Sequence, residues 1–460
     1  MGFTTPLGLY SILLFFAIFF LIRKFNLSNR IENVFVGYYS LFMYTIWYPP
    51  GILVILGYAI LAHIFDFLMV KTDYKRLLLF SSILISLAIL FAFKYFNFFK
   101  QIFGLESYAS DILLPVGISF HAFTAIGYFV DRYKRLIPPM ASYTDRLILM
   151  VFWPALAAGP ILRATNFIPQ IAKKYLPLEK DLWLASLLIA GGAAKKLLLS
   201  DNLGAFVNSS FSLGIKEMNA LEALVSLIGF SAQIYVDFSG YSDMALGFAL
   251  FMGYRIPANF NYPYNATSLT DFWRRWHISL SIWFRDYVYV PLGGARTKSS
   301  THALLNILIV FFLSGIWHGA GYNFIVWGLI HGGFLVLEKI FSKLFFSLST
   351  TLRRIITLSV VTLGWAYFRL PVREANLLIA KIFSPASYLL YSRESMYPIL
   401  PICCIVFLVW IDHFAQYYSV DKDGFPFLSR KNLSIGFVSV AYIASLLLSG
   451  NTLPFIYFNF

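Results

Sequence analysis

The run Leu77–Phe93, LLLFSSILISLAILFAF, carries seventeen residues without one charged side chain. A hydrocarbon core takes roughly 20 mostly apolar residues per helix, so this run has nearly the length and the composition of a membrane span. On its N-terminal side Leu7–Ile22 and Ile52–Val70 read the same way, and on its C-terminal side so do Ile355–Leu370 and Leu433–Leu448. Helices are the expected conformation, because a backbone facing lipid has no water to bond and must satisfy itself. The whole 460-residue chain agrees, with 59% hydrophobic and 13% charged residues. A soluble domain carries about 25% charged residues and could not hide so much apolar surface.

The formal charge of +14 follows the same logic. Met1–Phe20 has no basic leader and no small-residue cleavage site, so it reads as a retained span. Arg23, Lys24 and Arg30 come after it, which under the positive-inside rule puts them in the cytoplasm and the N-terminus outside. Arg132, Lys134 and Arg135, then Lys173 with Lys174, mark further cytoplasmic connectors. Arg430 and Lys431 precede a last span and place Asn451–Phe460 outside, so both termini are expected outside. The basic charge therefore belongs to loops at a lipid surface and calls for no nucleic-acid partner. The two cysteines, Cys403 and Cys404, are adjacent in an apolar run and offer neither a disulfide framework nor a metal-ligand spacing.

No Gly-, Ser- or Pro-rich linker divides the chain, so one domain over residues 1–460 is expected. By length and hydropathy it is an all-α integral membrane bundle of about ten to twelve spanning helices, with one or two segments that do not cross. Pro154, Pro160 and Pro169 interrupt an apolar stretch and predict broken or re-entrant helices. Lys195 and Lys196 lie in the apolar run Leu182–Leu199 and are expected to snorkel to an interface.

Two stretches bear chemistry. Asp271–Gly294, DFWRRWHISLSIWFRDYVYVPLGG, sets Trp273, Trp276, Leu280, Trp283 and Tyr287 three and four residues apart, which predicts one amphipathic helix. Thr270 is its expected cap, and Pro291, Gly293 and Gly294 its stop. A headgroup-level anchor accounts for its Trp and Arg residues but does not require His277. Phe311–Gly333, FFLSGIWHGAGYNFIVWGLIHGG, holds His318 in a strongly apolar segment. An ionisable group at such depth is costly and so is a functional candidate. Burial favours the neutral imidazole, which can accept a proton; a hydrogen bond across helices fits the residue equally well. His331 is the weaker candidate of this segment. Asp237, Ser239, Tyr241 and Asp243, in VDFSGYSDMA, are expected to line a cavity, as are Trp317 and Asn323. His121 reads as packing.

The pieces LPVGISFHAF (114–123), AAGPILR (157–163), GGAAKKLLLSDNL (191–203), QIYVDFSGYSDMALG (233–247), NFNYPYNATSLTDFWRRWHISLSIWFRDYVYVPLGG (259–294), GIWHGAGYNFIVWG (315–328) and PFIYFNF (454–460) together resemble the membrane-bound O-acyltransferase family, in its bacterial polysaccharide-acetylating branch. The resemblance spans nearly the whole chain. It implies a central funnel, His318 as the essential buried histidine and general base, and His277 as its assistant. It also implies acetyl transfer from a cytoplasmic donor, acetyl-CoA, to an extracytoplasmic glycan, with no bound cofactor or metal. Arg274, Arg275 and Arg285 would attract the anionic donor, although lipid phosphates suit them as well. Tyr457 is either an aromatic-belt anchor or a phenol that relays the acetyl group. A secreted SGNH-esterase-like acetyltransferase is the implied partner, in the bacterial inner membrane and cell wall. Peptidoglycan is the first expected acceptor and alginate-like polysaccharide the second. Teichoic-acid D-alanyl transfer is a rival within the fold, and a transporter is the rival from another class.

Overall fold

The computed structural model describes residues 3–104, 114–139, 142–156, 158–173, 175–212, 214–297, 299–384, 453, 455 and 456. Cys403, Cys404, Leu433–Leu448, both termini and Tyr457 lie outside the described residues. Every regular element among those described is helical. Among the described residues, seven helical segments are long and apolar enough to cross a membrane: Pro6–Lys24, Pro49–Lys71, Lys75–Lys94, Glu179–Ser212, Ala220–Phe251, Ser300–His318 and Tyr322–Ile340. The protein is thus an all-α, multi-pass membrane protein. The run Leu77–Phe93 forms most of one of these spans.

Contacts gather the described chain into two compact units, one of residues 1–192 and 241–258, the other of 193–240 and 259–456. The first contains α1 (Pro6–Lys24), α2 (Asn29–Trp47), α3 (Ile52–Lys71), α4 (Lys75–Lys94), α5 (Phe96–Ile102), α6 (Ile118–Tyr133), α7 (Tyr143–Val151), α8 (Ala164–Ala172) and most of α9 (Glu179–Ala194). Here α3 packs on α4, α6 and α7, and Asp66 of α3 sits buried at that junction. Its Oδ1 accepts from Arg132 Nε at 2.9 Å and its Oδ2 from Arg146 Nη2 at 2.7 Å. The Tyr128 hydroxyl donates to the same Oδ2. A carboxylate inside an apolar bundle is tolerable only with such partners.

Arg23, which the charge pattern assigns to a cytoplasmic connector, pairs at 2.6 Å with the buried Glu32 and donates to the Met252 carbonyl. The prolines act differently from one another. Pro154 lies in a one-turn 3-10 segment, Trp153–Ala155, and Pro160 in chain without regular structure, but Pro169 is accommodated inside α8. His121 packs as expected, buried with its Nδ1 2.9 Å from the Met150 carbonyl.

The second unit contains α10 (Asp201–Ser212), the first two-thirds of α11 (Ala220–Phe251), α12 (Leu269–Arg275), α13 (Ile278–Phe284), α14 (Ser300–His318), α15 (Tyr322–Ile340), α16 (Ser342–Ser347), α17 (Thr350–Arg369) and α18 (Val372–Ile382). Ile355–Leu370, expected to span, falls in α17 up to Arg369, but α17 is not among the seven segments above, and its ends carry Arg353, Arg354 and Arg369. A π-helical turn, Lys195–Ser200, leads into α10. It turns Lys196 inward, where the ammonium lies 2.8 Å from both Asp201 and Asp237. The snorkelling expectation fails for Lys196, because two buried carboxylates offer it a stronger partner than water at an interface.

Truncating Asp66 to Ala leaves Arg132 and Arg146 buried without their anion, so a loss of about 3–5 kcal/mol is expected. Thermal unfolding in detergent checks this. The paired change Asp66→Leu with Arg146→Met should cost less than Asp66→Ala alone.

Candidate active site

The site in the second unit begins with a broken helix. Asp271–Gly294 does not form the single amphipathic helix that its periodicity predicts. Helix α12 ends at Arg275, α13 starts at Ile278, and Arg285–Tyr289 is a π-helical turn. The break is at His277, which has φ 44° and ψ 54°, a left-handed conformation that non-glycine residues avoid. Such residues cost about 1–3 kcal/mol and persist where the surroundings over-determine them. The segment Asn259–Asn261 supplies that determination: Ile278 N–H donates to the Asn259 carbonyl at 2.9 Å, and Asn261 N–H to the Arg275 carbonyl at 3.0 Å. The Ser279 hydroxyl adds a 2.6 Å bond to Asn259 Oδ1.

The cap also differs from expectation. Ser268 caps α12 by accepting from Asp271 N–H at 3.0 Å, while Thr270 donates its hydroxyl to Glu338 of α15. The Glu338 carboxylate accepts from Leu269 N–H at 2.6 Å as well, placing a negative group at the positive end of α12. Sequence reasoning missed Glu338, since a lone acidic residue near the end of a span carries no local signal. The stop was legible: Gly293 and Gly294 have φ 101° and 59°. Asn306 of α14 then ties the Leu292 and Gly294 carbonyls.

The stretch is not a headgroup anchor. Trp276, His277, Leu280 and Trp283 are all buried, His277 to 1% exposure. Burial pulls its imidazole from the ordinary 6.5 down to about 3. Of the arginines, Arg275 is held by Asp271 at 2.7 Å, Arg285 by its neighbour Asp286 at 2.7 Å, and Arg274 is exposed.

Helices α14 and α15 meet without intervening side chains. A Cβ on Gly315 would stand 2.4 Å from the Phe324 carbonyl oxygen, and one on Gly328 2.3 Å from that of Phe311. Contact this close needs both glycines. Phe311–Gly333 is therefore a helical hairpin and not one segment: α14 ends at His318, and Gly319–Gly321 turns the chain into α15. His318, though terminal, is only 4% exposed.

Around it stands an aromatic box. The Trp317 ring is 4.8 Å from that of His318 and 6.0 Å from that of His277, so one indole touches both histidines. Trp327 lies 4.8 Å from His318 and 5.0 Å from His331. Phe368 of α17 closes on His318 at 5.1 Å. His331 is fully buried between Trp273, Trp327 and Trp365, and among the described residues neither ring nitrogen has a hydrogen-bond partner. It is more closely tied to the site than its sequence context suggests.

The other candidates are distributed. Asp237 is buried against Lys196, Ser239 is buried, and Asn323 donates to the Tyr367 carbonyl at 2.9 Å, holding α15 to α17. In the first unit Tyr241 stacks on Phe3 at 4.6 Å, and Asp243 is half-buried. No cluster able to hold a metal occurs among the described residues.

Because His277 is neutral in the fold but protonates near 6.5 when unfolded, it contributes stability that is present above that pH and lost as pH falls toward about 3. A His277→Gln variant should therefore show a shallower fall in unfolding temperature between pH 7.5 and 5 than the wild type. Gly315→Leu should separate α14 from α15 and abolish activity; retained activity would show that the close contact is dispensable.

Comparison with known proteins adds the family. The model of the MBOAT, membrane-bound O-acyltransferase family matches residues 142–371, which contain His277 and His318. A peptidoglycan O-acetyltransferase of Helicobacter pylori is 32% identical over 418 residues, 82% of this chain and 79% of the relative. A probable alginate O-acetylase AlgI of Pseudomonas aeruginosa is 36% identical over 309 residues, 65% of this chain and 59% of the relative. A teichoic acid D-alanyltransferase of Bacillus subtilis is 29% identical over 248 residues, 51% of this chain and 61% of the relative. These similarities decide against the transporter reading, and the chain belongs to the membrane-bound O-acyltransferase family.

Proposed function

We propose that the protein is an O-acetyltransferase that moves acetyl groups from acetyl-CoA toward an extracytoplasmic glycan, peptidoglycan in the first instance. The observation that carries this reading is the buried His318 in its aromatic box, within a chain similar along most of its length to a peptidoglycan O-acetyltransferase. Alginate or another exopolysaccharide is the second reading, supported by the alginate relatives.

In this reading the neutral His318 imidazole takes the proton of an acceptor hydroxyl as its oxygen attacks the thioester carbonyl. The carbon–sulfur bond breaks, and the thiolate leaves with the proton now on the imidazole. Trp317, Trp327 and Phe368 fix the ring plane and exclude water, which protects the thioester from hydrolysis. His277, against the same Trp317 indole, helps hold that arrangement. The exposed Arg274 attracts the anionic donor, helped by Arg285 on the outer side of its pair with Asp286, whereas the less exposed Arg275 serves the fold through Asp271. The Tyr457 phenol is the first acceptor, forming an aryl ester that a secreted SGNH-esterase-like partner then passes to the glycan. The bacterial inner membrane, with its lipids around the spans, is the setting.

Membranes supplied with labelled acetyl-CoA test this. The His318→Ala variant should lose roughly 10²-fold or more of label transfer into protein and glycan; undiminished transfer would sink the mechanism. Tyr457→Phe, at normal abundance, should abolish the labelled protein species, and full glycan acetylation in that variant removes the relay. Sugar analysis of the labelled polymer separates peptidoglycan from alginate.

A further inference from the structure

Three buried charges in the second unit have no part in the chemistry above, and they hold the chain just before Tyr457. Lys196 lies 2.8 Å from Asp201 Oδ1 and 2.8 Å from Asp237 Oδ1. The Ser200 hydroxyl also donates to Asp237 Oδ1, at 3.0 Å. The second oxygen of Asp237 is reached by neither. It accepts from the backbone N–H of Ile456, at 2.7 Å and 219 positions away in sequence.

One ammonium faces two carboxylates here, so the cluster is short of positive charge. A carboxylate oxygen buried to this depth must be satisfied, and the Ile456 N–H satisfies it. Two apolar contacts hold the same segment. The Phe455 ring meets Phe238 at 6.0 Å, and a Cβ on Gly204 would stand 2.6 Å from the Leu453 side chain. Phe455 and Ile456 are both buried.

We propose that Asp237, oriented by Lys196, is a positioning residue that holds Leu453, Phe455 and Ile456, and that acyl transfer to Tyr457 depends on it. The inference rests on the relay reading of Tyr457 for its catalytic consequence, but the clamp itself stands on the described contacts. Asp237→Leu is the informative change, because it leaves Lys196 and Asp201 as a balanced pair and withdraws the acceptor of the Ile456 N–H, together with that of the Ser200 hydroxyl. Asp237→Asn keeps an amide oxygen for that N–H and is the conservative rescue.

The experiment uses the full chain in membranes, with Cys403 and Cys404 changed to Ser and Ile456→Cys as reporter. N-ethylmaleimide labelling of that thiol should be about tenfold faster in Asp237→Leu than with Asp237 intact, with Asp237→Asn in between, while a Phe230→Cys control in the core stays unlabelled. Acetylation of Tyr457, measured without the reporter, should fall about tenfold or more in Asp237→Leu, while cleavage of acetyl-CoA by added hydroxylamine changes less than about twofold. Unchanged reporter labelling overturns the clamp. Faster labelling with undiminished Tyr457 acetylation overturns its positioning role. Should the Phe230→Cys control react in Asp237→Leu, Gly204→Val, whose side chain would press on Leu453 and on Gln233, disturbs the segment by a separate route and is judged by the same two criteria. Full glycan acetylation in Tyr457→Phe would end the relay reading alone, since the labelling rates report the clamp independently.

Discussion

The close approach of α14 and α15 is the constraint on which the site depends. Gly315 and Gly328 let the two backbones meet, and that contact brings both His318 and His331 against Trp327. Any side chain at either position would force the helices apart and move the box walls with them. Helix α15 also carries Glu338, whose carboxylate seats the N-terminus of α12, and α12 leads directly to His277. One helix thus couples both histidines through a packing contact at one end and a capping contact at the other.

Low dielectric explains why the polar residues sit where they do. Asp66 in the first unit and the Lys196 cluster in the second are each assembled from residues far apart in sequence, because an unpaired charge in an apolar bundle is too costly to keep. The same pressure acts on His277, where burial lowers the proton affinity and backbone bonds from Asn259 and Asn261 stabilise a left-handed turn. His331 is the contrast. It is enclosed by three indoles, with Gly364 close against the ring and neither nitrogen bonded among the described residues, so packing and not hydrogen bonding holds it.

What was readable depended on whether the signal was local. The span at Leu77–Phe93 is a matter of composition over one helix, and α4 follows it closely. The glycine stop after Val290 is a matter of backbone freedom and appears at Gly293 and Gly294. The three- and four-residue spacing of Trp273, Trp276, Leu280 and Trp283 also looked local, yet it does not mark one helix. Its residues lie on either side of the turn at His277, and periodicity cannot report a break imposed by a segment some sixteen positions earlier.

By itself, the sequence determined the environment and the chemistry available: apolar runs too long for a soluble core, a family-specific block at 259–294, and histidines inside apolar stretches. Only the tertiary structure decided which partners those groups have. Lys196 turned inward because Asp201 and Asp237 were there to meet it, Glu338 became a cap because α12 starts beside it, and His318 ended a helix yet stayed buried because Trp317, Trp327 and Phe368 close around it. Composition sets the cost of a buried polar group, but the pairing that offsets the cost is between residues distant in the chain, and that is settled only when the helices pack.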